Sequence, residues 1–251
     1  MKTVSICIPA YNNPDGIQKL LDSISIQTFT DYEICISEDV RDESDSTKTK
    51  DIVDLFKKEH PEIKDVFYKT HKSTKRPGDN WNNSLDMASG EYIKMMLHDD
   101  WFTDNTSLEC FVNMVKEGYD FAFSGTWQIS EDMRYKRYTT DEEITVFEND
   151  AEALIKAQTI GAPSAVIFRN RNFRFSPNLK WLIDMDMYIR CLRNGNFTYT
   201  KKPLVSIGIS DMQLTNYCMD NPKLVRKEYK YLYSTFSNEG KKKYKDFLKN
   251  I

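Results

Sequence analysis

Between Gly90 and Trp101 the chain reads Gly-Glu-Tyr-Ile-Lys-Met-Met-Leu-His-Asp-Asp-Trp, and no other stretch constrains the fold as much. Tyr92 to Leu97 is a largely apolar run of strand length that stops abruptly on His98, Asp99 and Asp100. Two adjacent carboxylates at the end of a buried strand are costly, because close like charges raise each other's pKa unless a cation lies between them. Hard divalent ions take oxygen ligands and commonly join one or two protein carboxylates to substrate phosphates. In open α/β sheets, ligands bind beyond the carboxyl ends of the strands. Asp99 and Asp100 therefore mark a candidate site for a metal ion and a phosphate group. The plain alternative is a polar loop, with Asp104 capping the next helix.

The flanking sequence alternates strand and helix patterns. Val4 to Ile8 is a short apolar run closed by Pro9, which reads as a buried first strand. A loop, Ala10-Tyr-Asn-Asn-Pro14, leads to a helix with Ile17, Leu20, Leu21 and Ile24 on one face. Tyr32 to Ser37 is a second strand ending on Glu38 and Asp39. A polar loop from Val40 to Thr49 precedes a helix with Ile52, Val53 and Phe56. Asp65 to Lys69 is a third strand, and a helix carrying Trp81, Leu85 and Ala88 follows Arg76-Pro77-Gly78. Leu108, Phe111, Val112 and Val115 define another helix, and Tyr119 to Ser124 a fifth strand. The alternation predicts an α/β fold with a Rossmann-like, mostly parallel central sheet flanked by helices. The acidic groups fall together, after the second and fourth strands. No G-x-G-x-x-G follows the first strand and no G-x-x-x-x-G-K-[ST] is present, which argues against dinucleotide and P-loop chemistry.

The second half is less regular. Arg134 to Glu143 reads as a loop or short hairpin, Ala151 to Ala157 as a helix, and Ile160 to Arg169 as Gly161-Ala-Pro-Ser164 followed by a strand. Trp181 to Leu192 reads as a helix with Leu182, Met185 and Ile189 on one face. Asp186 and Arg190 are spaced to pair along it. Asp184 has no such partner, so it is free to face a cleft, or else is a solvated helix acid. Lys201 to Ile207 reads as a last strand. Val225, Tyr229, Leu232 and Phe236 recur at helical spacing, and the basic run Lys241 to Lys245 reads as a solvated helix face rather than a membrane patch.

Composition excludes several classes. With 251 residues, 40% hydrophobic and 29% charged, the chain has the balance of a soluble protein. A net charge of −3 gives no electrostatic case for nucleic acid. No run approaches the ~18 apolar residues of a membrane span, and the N-terminus is unlike a signal peptide. Five cysteines are scattered; Cys7, Cys35 and Cys191 lie in apolar runs, as small core residues of a reducing compartment. Without Cys-x-x-Cys, a zinc site has no support.

Four stretches together resemble one family. Val4-Ser-Ile-Cys-Ile-Pro-Ala-Tyr-Asn12 resembles the opening strand of family 2 glycosyltransferases of the GT-A fold, and Glu33-Ile-Cys-Ile-Ser-Glu-Asp39 the second strand with its acidic end. Gly90 to Asp100 resembles the strand carrying the metal motif. Trp181-Leu-Ile-Asp-Met-Asp-Met-Tyr-Ile-Arg190 resembles the acceptor-side helix. The resemblance implies a GT-A domain over residues 1–215, with a nucleotide-sugar-binding half at 1–125 and an acceptor-side half at 126–215, then a helical tail at 216–251. It implies inverting transfer of a sugar from a nucleotide-diphosphate sugar, a UDP-sugar foremost, to a hydroxyl of a glycan or lipid-linked glycan. Glu38, Asp39, Pro9, Tyr11 and Asn12 would form the base and ribose pocket; Asp99, with Asp100, would bind Mn²⁺ or Mg²⁺; Asp184 would be the general base. Gly78, Asn80, Asn82 and His98 fall at donor-side positions, Ser164, Trp181 and Asp186 on the acceptor side, and Gln213 and Thr215 where a segment would close over the diphosphate. A helix start at Gly78 to Asn80 is the local alternative there.

The sequence departs from the family's usual Asp-x-Asp: Leu97 stands at the first position, His98 follows, and Asp99 and Asp100 remain. Surface polysaccharide synthesis in the cytoplasm, at the cytoplasmic face of the membrane, is the family-level expectation, with peripheral membrane contact and a homodimer left open. Two other classes compete. A nucleotidyltransferase would carry a Gly-rich basic loop after the first strand, which Pro9-Ala-Tyr-Asn-Asn does not supply. A non-catalytic nucleotide-sugar-binding protein would not need Asp99, Asp100 and Asp184 together.

Overall fold

Side chains alternate between the two faces of a β-strand, and that alternation builds two apolar layers here. Strand β1 (Val4–Ala10) sends Val4, Ile6 and Ile8 to one layer and Cys7 to the other. Strands β2 (Tyr32–Val40) and β3 (Val66–Lys72) pair parallel in series beside it, and β4 (Tyr92–Met95) pairs parallel with its other edge. These correspond to the four strands expected at the start of the chain, although β3 begins at Val66 and β4 ends at Met95. The computed structural model describes residues 2–41, 47–171, 173–194, 196–210 and 214–249. Much of the polar loop expected between Val40 and Thr49, and Gln213, fall outside that set.

Beyond β4 the sheet becomes mixed. It continues through β5 (Asp100–Phe102), β6 (Phe121–Ile129), β7 (Arg134–Arg137), β8 (Val166–Arg169) and β9 (Phe197–Gly208), in the order β3-β2-β1-β4-β8-β6-β9-β5, with β7 on the side of β6. β8 runs antiparallel between β4 and β6, whereas β9 lies parallel to β6. Six strands thus share one direction, and β5, β7 and β8 oppose it.

Helices α1 (Pro14–Ser25), α2 (Thr47–Glu59) and α4 (Ser107–Lys116) cover one face, and α3 (Pro77–Asp86), α5 (Asp141–Asn149) and α6 (Ile183–Asn194) the other. Ile17, Leu20, Leu21 and Ile24 of α1 are all fully buried, each side chain contributing about 1.5–3 kcal/mol. Asn13 starts α1 by accepting from Gly16 N at 3.0 Å, with Pro14 in the first turn. 3₁₀ turns at Ala151–Lys156 and Pro163–Ala165 link α5 to β8.

The segment expected as a tail forms α7 (Leu214–Met219), α8 (Pro222–Ser234), α9 (Asn238–Lys243) and α10 (Lys245–Lys249). Leu232, Phe236 and Tyr244 are buried in the same apolar cluster as Phe121, Phe168 and Leu182. Cys7, Cys35, Cys191 and Cys218 are buried, and all five cysteines are free.

Candidate active site

The carboxyl ends of β1, β2 and β4 meet at one edge. Pro9 is within β1, and its carbonyl accepts from His98 Nδ1 at 3.1 Å, tying the strand end to the loop after β4. Tyr11 lies outside β1, 40% exposed, with its hydroxyl accepting from Arg41 Nε and Nη2 at 3.0 and 2.8 Å. Asn12 takes a left-handed backbone, φ 44°, as the chain turns into α1. Glu38 and Asp39 lie within β2, not after it. Thr49 Oγ1 donates to Glu38 Oε1 at 2.6 Å and the Tyr68 hydroxyl to Oε2. Asp39 accepts from Ser73 Oγ at 3.0 Å, and burial raises its carboxyl above the usual range.

The loop bearing Asp99 is held from several sides. Gly16 packs so close that a side-chain carbon there would lie 2.3 Å from the His98 carbonyl oxygen, and one on Gly208 would lie 2.5 Å from that of Asp99. Only glycine allows both approaches. Ser164, fully buried, accepts from Leu97 N at 2.8 Å and donates to Asp100 Oδ2 at 2.5 Å. Gly208 N donates to Asp100 Oδ1 at 3.3 Å. Lys94, also fully buried, donates to the carbonyls of Met95, at 3.0 Å, and Ser164, and its ammonium stands 4.4 Å from the Phe111 ring centroid. Burial drives Lys94 well below the usual lysine range. Burial, then the Asp99 charge, drives Asp100 well above the usual carboxylate range.

Two of the predicted residues lie inside the fold. Asp100 is 2% exposed, and both its oxygens accept protein hydrogen bonds. Ser164 is fully buried and holds the Asp99 loop through Leu97 N. Asp99 itself is half-buried.

The other half of the site is on the first turn of α6. Asp184 Oδ2 accepts from Gln158 Nε2 and Oδ1 from Met185 N, both at 2.7 Å. Gln158 also grips Gly161, accepting from its N at 2.7 Å and donating to its O at 2.8 Å; the Tyr188 hydroxyl donates to the same carbonyl at 3.1 Å. Burial raises the Asp184 carboxyl to about 6, with the Met185 and Gln158 hydrogen bonds opposing. A carboxyl in that range exchanges its proton near neutral pH. The segment from Gln158 to Ser164 therefore holds Asp184 at one end and the Asp99 loop at the other.

Several predicted residues serve the scaffold. Asn80 donates to Ala10 O at 2.8 Å and accepts from Ser37 Oγ at 2.7 Å, fastening β1 to β2. Asn82 pairs with both backbone groups of Phe175. Gly78 packs against Ser176 O and Ile183 Cδ1, each 3.0 Å from where a side chain would begin. All three are in α3, which starts at Pro77 with Arg76 at its N-cap position. Asp186, on the acceptor side by sequence, is buried and paired with Arg190 at 2.7 Å, the intrahelical pair its spacing allowed. Trp181 is half-buried, edge-on to Tyr229 at 5.8 Å. Gln158, Lys94 and Gly16 were missed by the sequence reading: nothing local marks them, since each acts on a residue distant in sequence.

A carboxylate at this edge suits a hard divalent cation. Among the described residues no group of three His, Cys, Asp or Glu side chains is arranged to hold one. The donor set offered is the Asp99 carboxylate plus whatever oxygens a ligand brings, the usual arrangement for ions bound with substrate phosphates. Among the described residues no helix is long and apolar enough to cross a membrane.

The family model described as glycosyl transferase family 2 matches residues 5–191. A Campylobacter jejuni relative, GalNAc(5)-diNAcBac-PP-undecaprenol beta-1,3-glucosyltransferase, is 29% identical over 150 residues, covering 58% of this chain and 46% of that protein. This chain thus spans about half the length of that relative. The crystal structure of S. aureus TarS in complex with UDP-GlcNAc superposes with a TM-score of 0.69 at 17% identity, over 94% of this chain and 67% of that one. The mannosyltransferase PcManGT from Pyrobaculum calidifontis, in complex with GDP-Man and Mn²⁺, gives 0.67 at 14%, over 94% and 65%. Both share the fold.

Proposed function

Because the chain belongs to glycosyl transferase family 2, we propose that it transfers a sugar, with inversion, from a nucleotide-diphosphate sugar to a glycan hydroxyl in surface polysaccharide synthesis. The observation that carries this reading is the Gln158–Ser164 segment, which holds a carboxyl titrating at about 6 beside a loop that presents one half-buried carboxylate. In this reading, Asp39, Tyr11 and Asn12 surround the base and ribose, and Asp99 with the donor diphosphate holds Mn²⁺ or Mg²⁺. The bound ion would stabilise charge on the departing diphosphate without needing a proton. Asp184 takes the proton of the acceptor hydroxyl as that oxygen bonds to the anomeric carbon. The bond from that carbon to the phosphate oxygen breaks, and the nucleoside diphosphate leaves with the electron pair. Gln158 keeps Asp184 aimed, and such positioning supplies much of the rate. The Campylobacter relative's name places its acceptor on an undecaprenol diphosphate, and a lipid-linked acceptor at the cytoplasmic face of the membrane is the reading taken here.

Calorimetric titration of UDP-, GDP- and TDP-sugars, with Mn²⁺ or with chelator, tests the donor side. One donor should bind in a manner requiring both the ion and Asp99, and Asp99→Ala should abolish it. Asp184→Ala should keep that binding and lose roughly 10²–10⁴-fold in transfer. Donor binding indifferent to the ion and to Asp99 would remove the metal mechanism; full transfer by Asp184→Ala would remove the base.

A further inference from the structure

Lys94 is fully buried, and the transfer step gives it no task. Its register in β4 sets it between Ile6 of β1 and Ile167 of β8, both in one apolar layer. Its side chain enters that layer: the ring centroids of Phe102 and Phe111, of the same cluster, stand 5.6 and 4.4 Å from Nζ. A leucine or isoleucine would suit such a position. A buried amine costs free energy unless it is hydrogen-bonded, and Lys94 meets that cost by donating to two carbonyls, of Met95 at 3.0 Å and of Ser164.

Both carbonyls border the loop that bears Asp99. Leu97 to Asp100 is a four-residue turn, closed by Asp100 N donating to the Leu97 carbonyl at 3.1 Å. Ser164 Oγ clamps the two ends of that turn, accepting from Leu97 N at 2.8 Å and donating to Asp100 Oδ2 at 2.5 Å. Lys94 places Ser164 through its carbonyl. Its other partner, Met95, is the last residue of β4 before the turn, and Phe102 ends β5 on the far side. Lys94 therefore ties the strand that enters the turn to the residue that clamps it. Both Asp100 oxygens are taken by protein hydrogen bonds, which leaves Asp99 as the half-buried carboxylate of the turn. A site that depends on one protein carboxylate is sensitive to displacements of that group by half an ångström or so.

We propose that Lys94 is a positioning residue of the ion site: through Ser164 it fixes the turn that aims the Asp99 carboxylate, and so sets the affinity for a divalent ion held between Asp99 and the donor diphosphate. The proposal rests on Asp99 being the protein ligand of that ion. Lys94 acts on the ion and not on the nucleoside. Tyr11 and Asp39, which surround the nucleoside in the proposed function, are anchored by Arg41 and Ser73 instead.

Calorimetry separates the two sides of the site. UDP, or GDP if wild type binds it more tightly, is titrated into wild type, Lys94→Met, Ser164→Ala and Asp99→Ala, once with saturating Mn²⁺ and once with chelator. The ratio of the two affinities reports the contribution of the ion. Lys94→Met keeps the length and apolar packing of the side chain but has no donor. It should lower that ratio at least about tenfold, the effect of one buried hydrogen bond, with the affinity in chelator unchanged. Ser164→Ala should lower the ratio as well, and the double variant should lose little more than either alone, because both act on one turn. A wild-type ratio in Lys94→Met would overturn the proposal. So would equal losses of affinity with and without Mn²⁺, the mark of a loosened core. Should Lys94→Met fail to fold, Ser164→Ala decides, since a wild-type ratio there would mean that the clamp does not aim Asp99. An Asp99→Ala protein that keeps the full ratio, or a wild type indifferent to Mn²⁺, would instead refute the Asp99 reading beneath the proposal.

Discussion

At the scale of residues, Asp184 is where structure and chemistry meet most directly. It can accept a proton only when ionised, and burial holds its carboxyl at about 6. The transfer rate should therefore fall as pH drops through about 6, and a rate measured from pH 5 to 8 checks this. Gln158→Leu removes a hydrogen bond that favours the carboxylate; the acid limb should move to higher pH and the maximal rate should fall as the carboxylate loses its aim. The same carboxyl weakens the fold. Its pKa is higher folded than unfolded, so the fold carries no penalty below the unfolded value of 3.8, and the penalty grows as pH rises toward 6. Above that it is on the order of 3 kcal/mol. Asp184→Asn should raise the unfolding free energy at pH 7 by up to that amount while removing transfer, and should not stabilise at pH 3. Denaturant melts at the two pH values decide it.

Among elements, α8 controls α6 from outside the matched region. Glu228, 1% exposed, accepts from the backbone N–H groups of Lys180, Trp181 and Leu182 at 2.8, 2.9 and 3.0 Å. These donors lie just ahead of α6, where a helix N-terminus favours negative charge. Glu228 thereby fixes the turn that delivers Asp184. In Glu228→Gln an amide NH₂ faces backbone donors, which should cost about 1–3 kcal/mol in a thermal or denaturant melt. Donor affinity by calorimetry should stay at the wild-type value and kcat should drop, since Asp99 and the β1–β2 edge are untouched. A parallel loss of donor affinity would mean that the whole site had loosened.

At the scale of the molecule, the C-terminal helices close the second apolar layer. Glu152 accepts from Ser237 N at 2.8 Å and from Arg193, and Asp150 from Lys243 Nζ and the Tyr244 hydroxyl, each at 2.5 Å. Leu232, Phe236 and Tyr244 fill the space beneath. Ending the chain at residue 213 would expose that layer. The shortened protein should lose cooperative unfolding and near-ultraviolet circular dichroism instead of behaving as an intact domain without a tail.

The first four parallel strands and the helices between them were legible in the sequence, because each apolar run and each helical stripe there is local. Ile17, Leu20, Leu21 and Ile24 needed no tertiary information to be placed inside, and Asp99 and Asp184 stood out by their position after an apolar run or without a helical partner. Even α5 was legible, since Thr140 and Glu143 form a capping box that the reading of 134–143 as loop or hairpin passed over. The tertiary structure decided the rest. Periodicity reports which face of an element is apolar but not what it meets, so the antiparallel insertion of β8 between β4 and β6 left no local mark. The same limit separates half-buried carboxylates from buried ones. Asp99 and Asp100 are neighbours in sequence, yet one is half-buried at the edge and the other is buried under hydrogen bonds from Ser164 and Gly208. Only partners 64 and 108 residues away in the chain could set them apart.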